Sequence, residues 1–192
     1  MVGRTHDLAA FTALTYVLTL QPIPQMSLAT AIVAVGGNLL GGVAPDLDEP
    51  TSVLWNKIPT GSIIGRIIHP LLGSHRMISH SLLGLFLVGW LLKLLLAKIS
   101  TVLLVNMDLV WWAFMIGYFS HLIADTVTKE GVPWFFPVPV RFGIPPFKAF
   151  RITTGAFVEK GVVFPGLLIA EGYLVYLHYS KFLEFFRHLV AK

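Results

Sequence analysis

Long apolar segments recur along this chain of 192 residues, and they limit what it can fold into more than any other feature. A helix that crosses a bilayer needs about 20 mostly apolar residues. The sequence predicts an all-α, polytopic membrane protein with about five transmembrane helices, forming a single integral-membrane domain over residues 1–192. The predicted spans are 8–23, 26–44, 78–99, 109–127 and 162–179.

The composition supports this fold class and narrows the chemistry. Only 12% of the residues are charged, about half the share of roughly 25% in soluble domains. There is no cysteine, so any metal has to be bound by His, Asp and Glu. The net charge of +4 is scattered between apolar runs. A nucleic-acid-binding protein carries a dense basic stripe, so nucleic acid is not expected as a partner.

The first two apolar segments carry signals of their own. The first has Arg4 before it, as a signal peptide does, but it lacks a small-residue cleavage site and further spans follow. We therefore expect it to be retained. In the second, Gly37 and Gly41 form a GxxxG pattern, which lets two helix backbones approach closely in lipid.

Two long connections, 45–77 and 128–160, are predicted to lie at the membrane interface. The second contains 131-GVPWFFPVPVRFGIPPFKAF-150, which has too many prolines for a helix and mixes aromatic with basic residues, as headgroup-level segments do. With alternating spans, nine Lys and Arg residues fall on the N-terminal side and five on the other. The positive-inside rule makes the N-terminal side, with both connections, cytoplasmic.

Side chains that can bind a metal fall at the ends of four predicted helices, all on this cytoplasmic side. His121 and Asp125 are four residues apart, so they share a helix face and can chelate one ion. Asp46 and Asp48 follow a proline, and a divalent cation would remove the repulsion between their carboxylates. The remaining polar residues at this depth are His6, His75, Arg76 and His80. Polar residues at membrane depth tend to be functional, so we predict a shared metal site.

Each of these residues also has a structural explanation. His121 and Asp125 can form a hydrogen-bonded pair that closes a helix end. Asp46 and Asp48 can be turn or capping residues. Arg76 can anchor the chain to lipid phosphates, and Ser79 can cap the third span.

The ordered motifs resemble the YdjM-like family of membrane-bound, metal-dependent hydrolases, described as LexA-regulated inner-membrane proteins. They are His6, 45-PDLDEP-50, 75-HRMISHS-81 and 117-GYFSHLIADTVTKEGVP-133, with the Pro/aromatic loop that follows. The resemblance spans residues 6–160 and implies an integral protein of the prokaryotic inner membrane. The family's histidines and aspartates fall on His6, Asp46, Asp48, His75, His80, His121 and Asp125.

The leading hypothesis is a hydrolase with a divalent ion, zinc by preference. Its predicted metal ligands are His6, Asp46, Asp48, His80, His121 and Asp125. Because a catalytic zinc usually has three protein ligands, either two ions share the six or some of the six orient the others. Asp48 is the predicted proton acceptor, Arg76 the phosphate clamp and His75 the donor to the leaving group. The headgroup-level position makes membrane lipid both the environment and the expected substrate, through a phosphodiester or ester bond.

Two other classes of function stay open at this stage. The chain can be a transporter or ion-conducting protein that uses Glu171, an acid near the middle of the last span, protonated or paired with Lys93 or a hydroxyl group. It can also be a structural protein whose metal ion staples the helices together. The sequence leaves the oligomeric state undetermined.

Overall fold

The computed structural model describes residues 1–22, 25–48, 77–100 and 103–190. Over these ranges the chain is helical, without β-strands. The six α-helices are α1 (Gly3–Leu20), α2 (Leu28–Val43), α3 (Leu82–Ile99), α4 (Met107–Thr126), α5 (Phe164–Leu177) and α6 (Tyr179–Val190). A 3-10 turn, Ala44–Asp48, continues α2, and a π-helical turn, Glu159–Val163, precedes α5.

Within the described residues, four helical segments are long and apolar enough to cross a membrane: Leu28–Leu47, Leu82–Ile99, Met107–Thr126 and Glu159–Leu177. The predicted class, an all-α polytopic membrane protein, is therefore confirmed. The first predicted span is also an 18-residue helix, α1. It does not reach the hydropathy of the other four because its first turns are polar and it buries Thr5, His6 and Thr15 against its neighbours.

Helix α4 lies at the centre of the described helices, where it packs against α1, α2 and α3. Helix α1 also packs against α2 and α5. The buried apolar residues are few and mostly small around Ala34 and Ala113. Large side chains such as Trp90 on α3 and Ile169 on α5 point outward, 53% and 73% exposed. An arrangement with small residues inside and large apolar side chains outside is expected where lipid, rather than water, surrounds the helices.

Small residues let α2 and α4 approach until their backbones touch. A Cβ atom added to Gly41 would lie 2.1 Å from the carbonyl oxygen of Phe114, and one added to Gly117 would lie 2.0 Å from that of Asn38. The Asn38 side chain donates a hydrogen bond to the carbonyl oxygen of Ala113, at 3.0 Å. The close approach predicted from Gly37 and Gly41 is confirmed, and it brings the C-terminal ends of both helices together.

The long connection between α4 and α5 is irregular, apart from a short 3-10 turn at Lys148–Phe150 and isolated backbone bridges. Most of the other connection, residues 49–76, lies outside the described residues. The interfacial position of both connections stays a prediction. The C-terminal segment forms α6.

Candidate metal centre

Five predicted metal ligands from four parts of the chain meet at one end of the helices. His6 lies in the first turns of α1, Asp46 in the turn after α2, and His80 just before α3. His121 and Asp125 lie in the last turns of α4. The side chains of His6, His80, His121 and Asp125 are 0–1% exposed. Asp46 is 27% exposed, so among the five it is the side chain that reaches the surface.

Four donor atoms face one another at this end of the bundle: Asp46 Oδ1, His80 Nε2, His121 Nε2 and Asp125 Oδ2. The two imidazole nitrogens are 3.3 Å apart. They lie 3.5 and 3.6 Å from Asp46 Oδ1, and each lies 3.7 Å from Asp125 Oδ2. Zinc ligands at about 2.0–2.2 Å from the ion are separated from one another by roughly 3.3–3.6 Å in tetrahedral geometry. The spacing of the two imidazole nitrogens from each other and from each carboxylate oxygen is therefore close to that of ligands of one ion.

Hydrogen bonds on the far side of each imidazole prepare the nitrogens for metal binding. His121 Nδ1 donates to the carbonyl oxygen of Gly42 at 2.7 Å, which leaves a lone pair on Nε2. His80 Nδ1 lies 3.0 Å from Ser79 Oγ, which can accept its proton in the same way. Such outer partners fix the ring orientation and the tautomer of metal-binding histidines. Both Nε2 atoms face the two carboxylates.

The turn that carries His80 is held by its neighbours. The Tyr118 hydroxyl donates to the carbonyl oxygen of Ser79 at 2.6 Å. At Gly84 a Cβ atom would lie 1.9 Å from the carbonyl oxygen of Ile78, so only glycine lets the turn fold back on α3. Ser81, not Ser79, caps α3 by accepting from the backbone N–H of Gly84. Ser79 does not cap α3; its hydroxyl contacts His80 instead.

His6 lies beside these four donors and contacts two of the residues that carry them. Its ring stacks on His121 with 3.7 Å between centroids, and its Nε2 lies 3.3 Å from Asp125 Oδ1. The α-amino group of Met1 contacts the same oxygen. Asp125 thus presents Oδ1 to His6 and Met1, and Oδ2 to His80 and His121. His6 is therefore placed to orient Asp125, and with Asp46 and His121 it also forms one of two groups that could hold a metal ion.

The geometry favours one ion rather than two. Two groups of potential ligands can be drawn, His6/Asp46/His121 and His80/His121/Asp125, and both need His121. Since Nδ1 of His121 is bonded to Gly42, only Nε2 is available, and one nitrogen cannot serve two separate ions. Asp46 and Asp125 bring two negative charges, and the α-amino group of Met1 already pairs with Asp125. A second divalent cation would therefore add uncompensated positive charge at a buried place, which is costly.

Three predicted site residues are not placed by the structure. His75 and Arg76 lie outside the described residues, as does the side chain of Asp48, whose backbone ends the 3-10 turn. Their roles stay predictions.

Glu159 is a buried polar residue near the site that the sequence did not reveal. Its carboxylate is fully buried and accepts hydrogen bonds from the backbone N–H groups of Val2, at 2.7 Å, and Gly155, at 2.6 Å. It thereby ties the start of the last span to the first turn of α1, which carries His6. An acid beside the positive end of a helix also stabilises that end. Its only sequence signal is its position three residues before an apolar run that begins at Val162.

We expect Glu159→Ala to lower the unfolding free energy by about 1–3 kcal/mol for each backbone donor left unpaired. Metal affinity should fall less than the roughly 10–100-fold typical of residues that contact a ligand directly, because Glu159 acts through α1. Thermal unfolding and metal titration of the purified protein measure both effects. The exposed Glu184 provides the control, since Glu184→Ala should change neither. Equal losses in both variants would contradict this role.

Comparison with known proteins identifies relatives along most of the chain. The family model described as "YdjM inner membrane protein" matches residues 1–183. The uncharacterized protein YvsG of Bacillus subtilis (strain 168) is 29% identical over 182 residues, 92% of this chain and 96% of that protein. Inner membrane protein YdjM of Escherichia coli (strain K12) is 33% identical over 107 residues, 56% of this chain and half of that protein. The Shigella flexneri protein of the same name matches equally. No solved structure matches the chain.

Proposed function

This chain belongs to the YdjM inner membrane protein family, and on that premise we propose that it is a membrane-embedded, metal-dependent hydrolase. Its substrate in this proposal is a phospholipid or lipid phosphate, cleaved at a phosphodiester or ester bond on the cytoplasmic side. The observation that carries the proposal is the set of facing donor atoms from Asp46, His80, His121 and Asp125. Imidazole and carboxylate donors together suit zinc.

The exposure of the four donors divides their roles. His80, His121 and Asp125 are fully buried and would hold the ion, as two histidines and one carboxylate do in some hydrolytic zinc enzymes. Asp46 is the donor that reaches the surface, so water or substrate would approach the ion from the side of Asp46. A bound zinc ion lowers the pKa of a coordinated water toward about 7 and so supplies hydroxide near neutral pH.

The remaining steps are assigned to side chains near the exposed side of the site. Asp46 and its neighbour in the sequence, Asp48, are the carboxylates available there, and one of them accepts the proton of the attacking water. Arg76 binds the substrate phosphate with its planar guanidinium group. His75 protonates the leaving group. The assignments to Asp48, His75 and Arg76 rest on the sequence alone.

The position of the site supports a lipid substrate. All five predicted metal ligands lie at helix ends on one side of the helical bundle, rather than midway along a span. The excess of Lys and Arg on the N-terminal side supports a cytoplasmic location. A site at that depth faces the bonds of the lipid headgroups.

The experiment that tests this function combines metal analysis with a hydrolysis screen on phospholipids and lipid phosphates. We expect Asp46→Asn and Asp48→Asn both to keep bound metal, since three buried ligands remain, and the variant that lacks the proton acceptor to lower turnover by about 10²–10⁴-fold, the usual contribution of a general base. Asp108→Asn is the matched control, because Asp108 is exposed and pairs with Lys93 at the far end of α4. Hydrolysis by both Asp46→Asn and Asp48→Asn at the native rate would contradict the assigned role.

One observation favours a structural metal site as the second candidate. Four protein donors face one another at the centre, and a site whose four coordination positions are all filled by protein is typical of structural zinc. In that case Asp46→Asn would lose metal and thermal stability together, and no lipid would be hydrolysed by the native protein.

The transport alternative depends on Glu171 of α5. Of its two predicted partners the hydroxyl is observed, because Thr15 donates to Glu171 Oε1 at 2.9 Å, whereas Lys93 pairs with Asp108. Glu171 Oε2 is buried and has no hydrogen-bond partner within the described ranges. Loss of ion flux in liposomes carrying Glu171→Gln would favour transport over hydrolysis.

A further inference from the structure

A second surface lies beside the metal centre, formed by residues 134–150 and named here the aromatic loop. Loops that face water are usually polar, but the large apolar side chains of this one point outward. Phe135 is 57% exposed, Ile144 64%, Phe147 72% and Phe150 77%. None of these residues belongs to the metal centre or to a membrane-spanning helix.

Hydrogen bonds fix the backbone of the aromatic loop, and this fixed backbone holds its apolar side chains in exposed positions. Val132 and Phe142 exchange two backbone hydrogen bonds of 2.8 and 2.9 Å. The backbone N–H of Ile144 donates to the carbonyl oxygen of Thr126, at the end of α4, at 2.8 Å. The guanidinium group of Arg151 donates to the carbonyl oxygens of Pro145 and Pro146 at 2.8 and 2.9 Å.

The apolar surface of the loop continues from the surface of α4. Phe119, exposed on α4 two residues before His121, makes an edge-to-face contact with Trp134 at 5.9 Å. Phe135 follows and makes a similar contact with Phe142 at 5.4 Å. The indole N–H of Trp134 donates to Thr126 Oγ1 at 3.0 Å. Because α4 is a candidate membrane span, the loop begins where that span leaves the hydrocarbon core.

The charge of the loop indicates what covers it. Residues 134–150 include Arg141 and Lys148, both exposed, and contain no Asp or Glu. Aromatic and basic residues together are typical of segments at the headgroup level, and each basic residue there is attracted to anionic lipid. A second copy of the chain would bring the same positive charges face to face. Lipid is therefore the complementary partner.

We propose that the aromatic loop inserts into the leaflet that faces the metal centre. Phe147 and Phe150 lie below the lipid phosphates, while Arg141 and Lys148 contact anionic headgroups. Through its bonds to Thr126 the loop fixes the depth at which the metal centre meets the headgroups. This inference needs only that the chain is a membrane protein, so it can stand if the hydrolase proposal fails, and the reverse also holds.

The lack of native cysteine allows a direct test by spin labelling. Phe147→Cys carries a nitroxide label in the full chain, placed in bilayer nanodiscs of phosphatidylcholine and phosphatidylglycerol. Collision with O₂, which concentrates in the bilayer, is compared with collision with a water-soluble nickel chelate. Glu130→Cys is the matched control, an exposed acid on the same connection but outside the aromatic loop.

The label at position 147 is expected to collide more with O₂ than with nickel, and the label at position 130 should show the reverse order. Phe150→Cys repeats the measurement if the first variant does not fold. Nickel access at 147 equal to that at 130 would overturn the proposal. Protection from both reagents, with a spin–spin distance between labels on two chains, would also overturn it and assign the surface to a second copy.

Discussion

His121→Ala is expected to remove bound metal and hydrolysis together, with metal affinity falling by more than the roughly 100-fold upper range for residues outside the ligand shell. His121 supplies one of the four facing donor atoms, Nε2, whose lone pair is fixed by the bond from Nδ1 to Gly42. It is also common to both potential ligand groups, so its removal breaks both. Metal content after dialysis, measured by mass spectrometry, together with metal titration, gives the size of the loss.

His188→Ala is the matched control for this variant. His188 lies on α6, is 60% exposed and pairs with Glu184, so its removal should leave metal content and turnover unchanged. Asp125→Ala should behave like His121→Ala, since it removes another buried donor. Full metal occupancy in both His121→Ala and Asp125→Ala would exclude the proposed site.

Gly41→Ala is expected to lower the stability of the protein by forcing α2 and α4 apart. The new methyl group would lie 2.1 Å from the carbonyl oxygen of Phe114, and backbone atoms cannot rotate away as a flexible side chain can. Helices α2 and α4 have to separate, at a cost of about 1–3 kcal/mol or more for overpacking. Their separation also moves the adjacent Gly42 carbonyl away from His121, so metal affinity falls as well. Thermal unfolding in detergent and metal titration measure the two effects.

Gly36→Ala offers a control on the same helix with the same chemical change. A Cβ atom at Gly36 meets nothing within 4 Å, and alanine is favoured over glycine in a helix by up to about 1 kcal/mol. Gly36→Ala should therefore keep or raise stability. If both variants unfolded at the same temperature as the native protein, the close approach of α2 and α4 would be wrong.

Hydropathy predicted the helices because the spans face lipid along most of their length. It placed the first span at 8–23, whereas α1 is Gly3–Leu20. The difference arises because Arg4, Thr5 and His6 are helical although they are not apolar, and a hydropathy pattern detects only the lipid-facing part of a helix. The GxxxG pattern predicted a close approach of two helices because glycine has no side chain to keep them apart. The backbone contacts at Gly41 confirm this prediction.

The sequence could indicate which residues share one end of the bundle, but not how their atoms meet. Alternating spans place His6, Asp46, His80, His121 and Asp125 on one side of a membrane. The tautomer of His121 depends on a hydrogen bond to the carbonyl oxygen of Gly42. Because every residue has a backbone carbonyl group, the sequence does not indicate which one accepts this bond. The role of Glu159 depends on contact with Val2, at the opposite end of the chain. Only the packing of α1 against α5 reveals it.

The central claim is that one divalent ion is bound by imidazole and carboxylate groups from separate helix ends. X-ray absorption at the zinc edge, with metal counting on the native chain in nanodiscs, tests it most directly. The expected result is one ion per chain with two imidazole nitrogens and carboxylate oxygens at about 2.0–2.2 Å. A native protein that takes up no divalent ion, or an ion without imidazole ligands, would contradict the claim.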